Sequence, residues 1–305
     1  ESSINANRVR VLVKKHHLDI YHGLSNELPP GIAKSGIPSV VTIHDLIFLR
    51  YPELYKSIDR KIYKVKFKYA CKAATKIIAI SNQTKNDLTT FFDIPPEKIE
   101  VIYQPVNALF FDKRDKGNTL KKYNIPENYI LTVGTIEPRK NQLSLLKAIH
   151  NTGLDLTLVV IGNPTKYISQ LKQFADDKRI EGKVIFLNNL TLEELSVVYQ
   201  NATLLAYVSL FEGFGLPVIE AMASGCPVLT SSVSCLTETA GDAAILCDPY
   251  DIKDISNKIS RILHSNALRN ELIKKGNARA FHFHPGNYSE KLFTFYKKLS
   301  GKQNG

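Results

Sequence analysis

The chain is predicted to be an α/β protein built on parallel sheets, and three observations predict it. Short apolar runs alternate with helical patterns along the 305 residues. The runs are continuous, as in Ile130-Leu131-Thr132-Val133 and Leu204-Leu205-Ala206-Tyr207-Val208, which suits strands buried on both faces. Some of them pass through a glycine loop into a helix, most clearly between Leu204 and Gly225. The length allows two domains of roughly 150 residues each.

The elements follow in order. Strands are expected at 20–22, 39–43, 76–80 and 99–103, with helices at 58–74 and 82–91. Ser81 is placed to cap the second helix, because its hydroxyl can accept from an early helical N–H. A charged, polar stretch, 107–124, centred on Asp112-Lys113-Arg114-Asp115-Lys116-Gly117-Asn118, reads as the domain border. Beyond it strands are expected at 130–133, 156–161, 184–187, 204–208, 227–229 and 244–247. Helices are expected at 142–150, 165–176, 192–200, 216–224 and 251–264. A last helix, about 285–299, follows the aromatic kink Phe281-His282-Phe283-His284-Pro285.

Composition excludes some classes. The apolar share of 44% and charged share of 23% are ordinary for a globular protein. No apolar run approaches the roughly 20 residues of a membrane-spanning helix. The four cysteines, Cys71, Cys226, Cys235 and Cys247, have neither metal-ligand spacing nor the density of a disulfide framework. They read as buried free thiols in a reducing compartment. The net charge of +11 is concentrated in 56–76, where Lys56, Arg60, Lys61, Lys64, Lys66, Lys68, Lys72 and Lys76 interleave with Tyr55, Ile58, Ile62, Tyr63, Val65, Phe67 and Tyr69. This basic amphipathic helix suits docking on an anionic membrane surface. The plain alternative is a solvated face with its aromatic side packed on its own sheet. Nucleic acid is not expected, since no recognition motif accompanies the charge.

The richest stretch is Ser209-Leu210-Phe211-Glu212-Gly213-Phe214-Gly215-Leu216-Pro217-Val218-Ile219-Glu220-Ala221-Met222-Ala223-Ser224-Gly225. Two glycines frame a tight loop, Pro217 suits the first helical turn and Gly225 suits its end. Free backbone N–H groups and the helix dipole then converge on an anion site. Glu212 and Glu220 flank it, with seven residues between them. A phosphate does not want carboxylates, but sugar hydroxyls do, because carboxylates accept such bonds strongly. The segment therefore suits a ligand with both phosphates and hydroxyls, a sugar nucleotide. An ordinary strand-to-helix turn with two solvated acids is the bland reading.

From about Tyr129 to Pro249 the chain closely resembles the donor-site region of the retaining glycosyltransferases of family 4, the glycosyl transferases group 1 of the GT-B fold. That resemblance implies two Rossmann-like domains with parallel sheets facing across a cleft. The boundaries expected here are 1–108 for an acceptor-side domain and 109–284 for a donor-binding domain, with helix 285–300 packing back on the first. The family opens with a strand and a glycine-rich loop that are not visible here, so an N-terminal segment is expected to be missing. The resemblance assigns Glu212 to hydroxyls of the donor sugar and Glu220 to the ribose. It assigns the N–H groups of Phe214, Gly215 and Leu216 to the sugar and distal phosphate.

Supporting residues fall at other strand ends. In Gly134-Thr135-Ile136-Glu137-Pro138-Arg139-Lys140-Asn141, a basic pair at a helix start suits a diphosphate: arginine forks onto two oxygens and lysine supplies a point charge. The resemblance gives Lys140, with Arg139, that role, and puts Gly134 and Thr135 in the donor site. Many family members carry Arg directly after the glycine, where this chain has Thr135; Arg139 is expected to replace that charge. His44, in Thr42-Ile43-His44-Asp45, occupies a position near the sugar and acceptor in the family. Asn188 and Leu190 sit where the family reads the nucleobase through its backbone. His22-Gly23 and Gly162-Asn163-Pro164 end further strands, and Glu238 is given a helix-start role.

The resulting expectation is a retaining hexosyltransferase of polysaccharide biosynthesis that uses a GDP-sugar or UDP-sugar donor and a saccharide or lipid-linked acceptor. The Gly-Thr-x-x-Pro-Arg-Lys-Asn form resembles bacterial polysaccharide mannosyltransferases, which favours mannose and GDP. No Asp-x-Asp follows a strand, so no metal and no cofactor are expected. The expected location is the cytoplasm, with the basic helix as a contact to the inner face of the membrane. A nucleotide-sugar epimerase of the same fold, or a non-catalytic nucleotide-sugar or nucleic-acid-binding protein, are the alternatives. A sugar phosphorylase would need a pyridoxal-binding lysine and a far longer chain.

Overall fold

The structure, a computed structural model, describes residues 11–13, 15–113 and 117–301. Arg114, Asp115 and Lys116, at the centre of the expected domain border, lie outside the described residues. The chain divides into two compact units, one running up to Gln104 and resuming at Gly286, the other Pro105–Pro285.

The first unit holds a parallel sheet of β1 (Tyr21–Gly23), β2 (Ser39–Ile43), β3 (Lys76–Ala79) and β4 (Ile99–Val101), in the order β1-β2-β3-β4. The continuous apolar run of β2 is buried throughout, because helices cover both of its faces. Val41 and Ile43 join a core with Ile77, Ala79, Phe67, Ala70, Leu88 and Phe92. These are drawn from β3, α2 (Ser57–Ala73) and α3 (Asn82–Phe92), while a short α1 (Ile47–Arg50) contributes Phe48. Val40, Ile78 and Ile102 pack instead against Tyr288, Leu292, Phe295 and Leu299 of α12 (Pro285–Ser300), whose spacing is that of one helix face. Ser81 caps α3 as expected, its Oγ accepting from the Thr84 N–H at 3.0 Å.

The second unit holds six parallel strands: β5 (Tyr129–Val133), β6 (Thr157–Ile161), β7 (Val184–Leu187), β8 (Leu204–Tyr207), β9 (Val228–Ser231) and β10 (Ile245–Cys247). Their order is β10-β9-β8-β5-β6-β7. The chain leaves β5 toward one edge and returns at β8 to build the other. β5 and β8 are therefore neighbours at a topological switch point, where loops part and a ligand crevice forms outside the carboxyl ends. The helices are α4 (Thr119–Lys122), α5 (Gln142–Asn151), α6 (Ile168–Lys178), α7 (Leu192–Asn201), α8 (Leu216–Ala223), α9 (Leu236–Ala240), α10 (Ile252–Leu263) and α11 (Asn266–Phe281). Thr191 and Glu194 form a complete capping box at the start of α7.

One long element differs from expectation. No sequence pattern predicts α11, sixteen residues in length. Its buried side is Leu272, Gly276 and Ala280, a four-residue repeat of mostly small residues that gives little apolar signal. The small residues serve close packing on α8: a Cβ added at Gly276 would lie 3.2 Å from Met222 Cγ. All four cysteines are free and buried, and burial pushes the thiols of Cys71, Cys226 and Cys247 up to about 12. No helix among the described residues is long and apolar enough to cross a membrane.

Candidate active site

The loops after β5 and β8 converge at the switch point. The β5 loop leaves through Gly134, whose φ of +136° favours glycine. A Cβ at Gly162, at the end of β6, would lie 2.0 Å from the Gly134 carbonyl oxygen, so the two loops touch through bare backbone. The Gly134 N–H donates to the Ile161 carbonyl and the Ile136 N–H to that of Asn163. Arg139 and Lys140 lie in a single turn of 3-10 helix, Pro138–Lys140, ahead of α5 rather than within its first turn. Asn141 separates the two with a left-handed backbone (φ 59°). Its buried amide donates to the Val208 and Pro249 carbonyls at 3.1 and 2.8 Å, which locks this loop to the end of β8.

Glu212 meets the basic pair there. Lys140 Nζ is 2.7 Å from Oε1 and Arg139 Nη1 is 2.9 Å from Oε2. The Tyr207 hydroxyl accepts from Lys140 at 2.6 Å and donates to Oε1 at 2.8 Å. Arg139 also donates to the Phe211 carbonyl and to Glu137 Oε1. Burial by itself would raise the Glu212 pKa, but the charges of Lys140 and Arg139 outweigh it and hold the carboxyl below its ordinary value. Burial likewise opposes the charge on Arg139, and Glu212 with Glu137 more than restore it. Glu212 and the basic pair, expected to meet different parts of a ligand, also bind one another. The Glu212 carboxylate thus accepts from Lys140, Tyr207 and Arg139.

Glu220 stands apart from it, on α8. Its Oε2 accepts from the Tyr199 hydroxyl at 2.8 Å, and burial raises its pKa to about 6 despite that bond. The N-terminus of α8 begins at Gly215, φ +93°, with no side-chain cap and no acid in the first turn. Pro217 has no N–H and the Val218 N–H donates to the Gly215 carbonyl at 3.0 Å, so the Leu216 N–H at the helix start is the one that suits an anion. A Cβ at Gly215 would fall 2.6 Å from Leu236 Cδ2, so that side chain would have to shift, while the φ itself favours glycine. Phe214 is buried, its carbonyl accepting from Thr239 Oγ1 at 2.6 Å, and Leu216 is half-buried. Gln142 is also buried beside the β5 loop: its Nε2 donates to the Thr135 carbonyl, while its Oε1 lacks a hydrogen-bond partner.

Thr135 and Asn188 are exposed and Leu190 is half-buried, the last two beyond the end of the edge strand β7. His44 belongs to the first unit, at the end of β2. Its Nε2 faces the Leu24 carbonyl at 3.0 Å and its Nδ1 faces Gln104 Nε2 at 2.8 Å. A carbonyl only accepts, so Nε2 carries the proton and Nδ1 accepts from the amide. Both ring nitrogens are therefore occupied. His22 bonds Thr42 Oγ1 at 2.8 Å and Tyr296 of α12. Glu238 lies in the first turn of α9. Among the described residues no cluster of three His, Cys, Asp or Glu side chains could hold a metal ion. Tyr207, Tyr199 and Asn141 are site residues that the sequence analysis missed. The available signal was a polar tip at the end of an apolar run in Tyr207.

Residues 115–279 match the family model "Glycosyl transferases group 1", and residues 2–108 match "Glycosyltransferase Family 4". The chain belongs to the group 1 glycosyltransferases. This glycosyltransferase is 30% identical over 288 residues to the O-antigen chain mannosyltransferase B of Escherichia coli, covering 92% of this chain and 74% of that one. It is 31% identical over 223 residues to the O-antigen chain mannosyltransferase RfbU of Salmonella typhimurium, covering 73% and 60%. Among solved structures it is similar to Anabaena Alr3699/HepE in complex with UDP and glucose, with a TM-score of 0.78 at 18% identity over 96% of this chain and 82% of that one. Two parallel α/β units of this kind are the GT-B fold.

Proposed function

We propose that this glycosyltransferase moves mannose, with retention of configuration, from GDP-mannose to a saccharide or lipid-linked acceptor in polysaccharide biosynthesis. The cluster of Arg139, Lys140, Tyr207 and Glu212, whose glutamate lies in the loop that leads to the N-terminus of α8, a terminus with no side-chain cap, is the observation that carries it. Two cations and a helix N-terminus suit a diphosphate whose charge grows as the sugar leaves, and they supply that stabilisation without a metal or cofactor. The Glu212 carboxylate suits a sugar hydroxyl, and Glu220 suits the ribose. The backbone N–H groups of Phe214, Gly215 and Leu216 face the distal phosphate in this reading, with Gly134 and Thr135 beside it. Asn188 and Leu190 border the base. His44 meets the sugar or acceptor by exchanging Leu24 or Gln104 for a ligand hydroxyl. Mannose, and the synthesis of a polysaccharide, are supported by the two O-antigen mannosyltransferases among the relatives. The solved neighbour that holds UDP and glucose favours UDP-glucose as the second candidate donor.

The test is a thermal shift of the chain with GDP-mannose, UDP-glucose, UDP-N-acetylglucosamine, UDP-galactose, GDP and UDP. GDP-mannose and GDP should stabilise the protein, and Glu220→Ala should remove the response. In a transfer assay Glu212→Gln should lower the rate roughly 10- to 100-fold through lost hydrogen bonds to the sugar. Silence toward every sugar nucleotide would overturn the proposal.

A further inference from the structure

Tyr207 is the fixed point of the charged cluster. It ends β8, a strand with partners on both sides, β5 and β9. Its side chain is buried, and its carbonyl accepts from Thr230 Oγ1 of β9 at 2.9 Å. Lys140 reaches the cluster on a flexible stem from its 3-10 turn, and Glu212 lies in a loop. A group carried by a paired strand is placed more precisely than either.

The Tyr207 hydroxyl bonds two charged groups that arrive from two different loops. Lys140 Nζ, Tyr207 Oη and Glu212 Oε1 form a triangle with sides of 2.6, 2.8 and 2.7 Å. An ammonium only donates and a carboxylate only accepts, so the hydroxyl accepts from Lys140 and gives its own proton to Glu212. The two bonds run in one direction, and each polarises the other. Filling the end of an apolar strand does not require this hydroxyl. Phenylalanine has the same ring without a buried polar atom to satisfy.

We propose that Tyr207 is a positioning residue of the donor site, fixing the spacing between the cation offered to the diphosphate and the carboxylate offered to the sugar. The assignment rests on the donor contacts proposed above. Diphosphate and sugar belong to one small ligand, so the two groups that receive them must stand at one separation. Two of the three ammonium protons of Lys140 are engaged in the triangle, and the third suits a phosphate oxygen. A free nucleoside diphosphate meets the cation alone, whereas a sugar nucleotide meets cation and carboxylate together. Tyr207 therefore acts on the sugar end of recognition, through Lys140 and Glu212, without touching the ligand.

Titration calorimetry of the full chain and of Tyr207→Phe, with GDP-mannose against GDP and UDP-glucose against UDP, tests the assignment. For the sugar nucleotide that binds, Tyr207→Phe should lose roughly tenfold in affinity, the worth of one hydrogen bond to a charged group. Affinity for the matching free diphosphate should stay within about twofold, which also shows that the fold and the cation are intact. In a Glu212→Ala background the same substitution should add less than about twofold, because the hydroxyl then has no carboxylate to hold. Equal affinities in Tyr207→Phe and the unaltered chain would overturn the assignment. So would an equal loss for free diphosphate and sugar nucleotide, or a loss that multiplies in full with that of Glu212→Ala, since a tyrosine that only packs gives those results. An unaltered chain that binds no sugar nucleotide would overturn the proposed function and this assignment with it. Binding that is indifferent to Tyr207→Phe would remove this assignment alone.

Discussion

A carboxyl group buried beside a single hydroxyl keeps its proton longer than one in water. Glu220 is such a group, raised by burial from an ordinary 4.5 to about 6 with only Tyr199 opposing the shift. Folding therefore favours its neutral form. That stabilisation is complete below the ordinary value and is lost as pH rises through about 6, amounting to about 2 kcal/mol. Glu220→Gln keeps the neutral shape at every pH. It should match the unaltered chain near pH 4 and exceed its stability by about 2 kcal/mol near pH 7, as read from melting or denaturant curves. In the proposed function the ionised form accepts from the ribose, so donor affinity should fall as pH drops below about 6. In Glu220→Gln that dependence should be flat. Glu212 has the opposite balance. Lys140 and Arg139 keep it charged, and removing its charge strands Lys140 and leaves Arg139 with Glu137 alone, a loss of about 3–5 kcal/mol. A melting curve of Glu212→Gln measures this cost separately from its effect on transfer.

The loops that end β5 and β6 approach each other through bare backbone, and this closeness positions the basic pair. Gly162→Ala would place a methyl group 2.0 Å from the Gly134 carbonyl oxygen, where no flexible side chain can yield. The substitution should cost about 1–3 kcal/mol and shift the β5 loop, so a drop in melting temperature should accompany weaker binding of GDP-mannose. Gly162 is not left-handed, so the requirement comes from packing alone. At the start of α7, Thr191→Ala removes one half of a complete capping box. It should cost about 1 kcal/mol without touching donor binding, since the cap satisfies only the helix's own N–H groups. The contrast separates loops that shape the site from caps that only stabilise.

Apart from His44, the proposed donor contacts come from the unit Pro105–Pro285. Amide exchange with and without GDP-mannose should show protection concentrated in residues 134–141 and 209–216, the loops at the β5–β8 switch point. Protection confined to other loops would place the donor elsewhere. The strands themselves are buried in both states and should change little.

Much of this was legible from local pattern. Period, breakers and caps are properties of neighbouring residues. The ten strands, the Ser81 cap, the glycine loop into α8 and the paired glutamates could therefore be read along the chain. The four-residue repeat of α11 could not, because its small residues carry meaning only against Met222 of α8. The site contacts were equally hidden. Lys140 and Glu212 are 72 positions apart, and nothing local says that β8 returns to lie beside β5. Tyr207 read as one more apolar strand residue until the fold aimed its hydroxyl between them. In α2 the periodicity showed an amphipathic helix, while packing decided that Phe67 faces the core and Ile58 and Val65 face solvent. Backbone periodicity specifies elements, because each turn or strand step is set by adjacent residues. Pairing and burial depend on residues far apart in sequence, and only the packed chain brings them together.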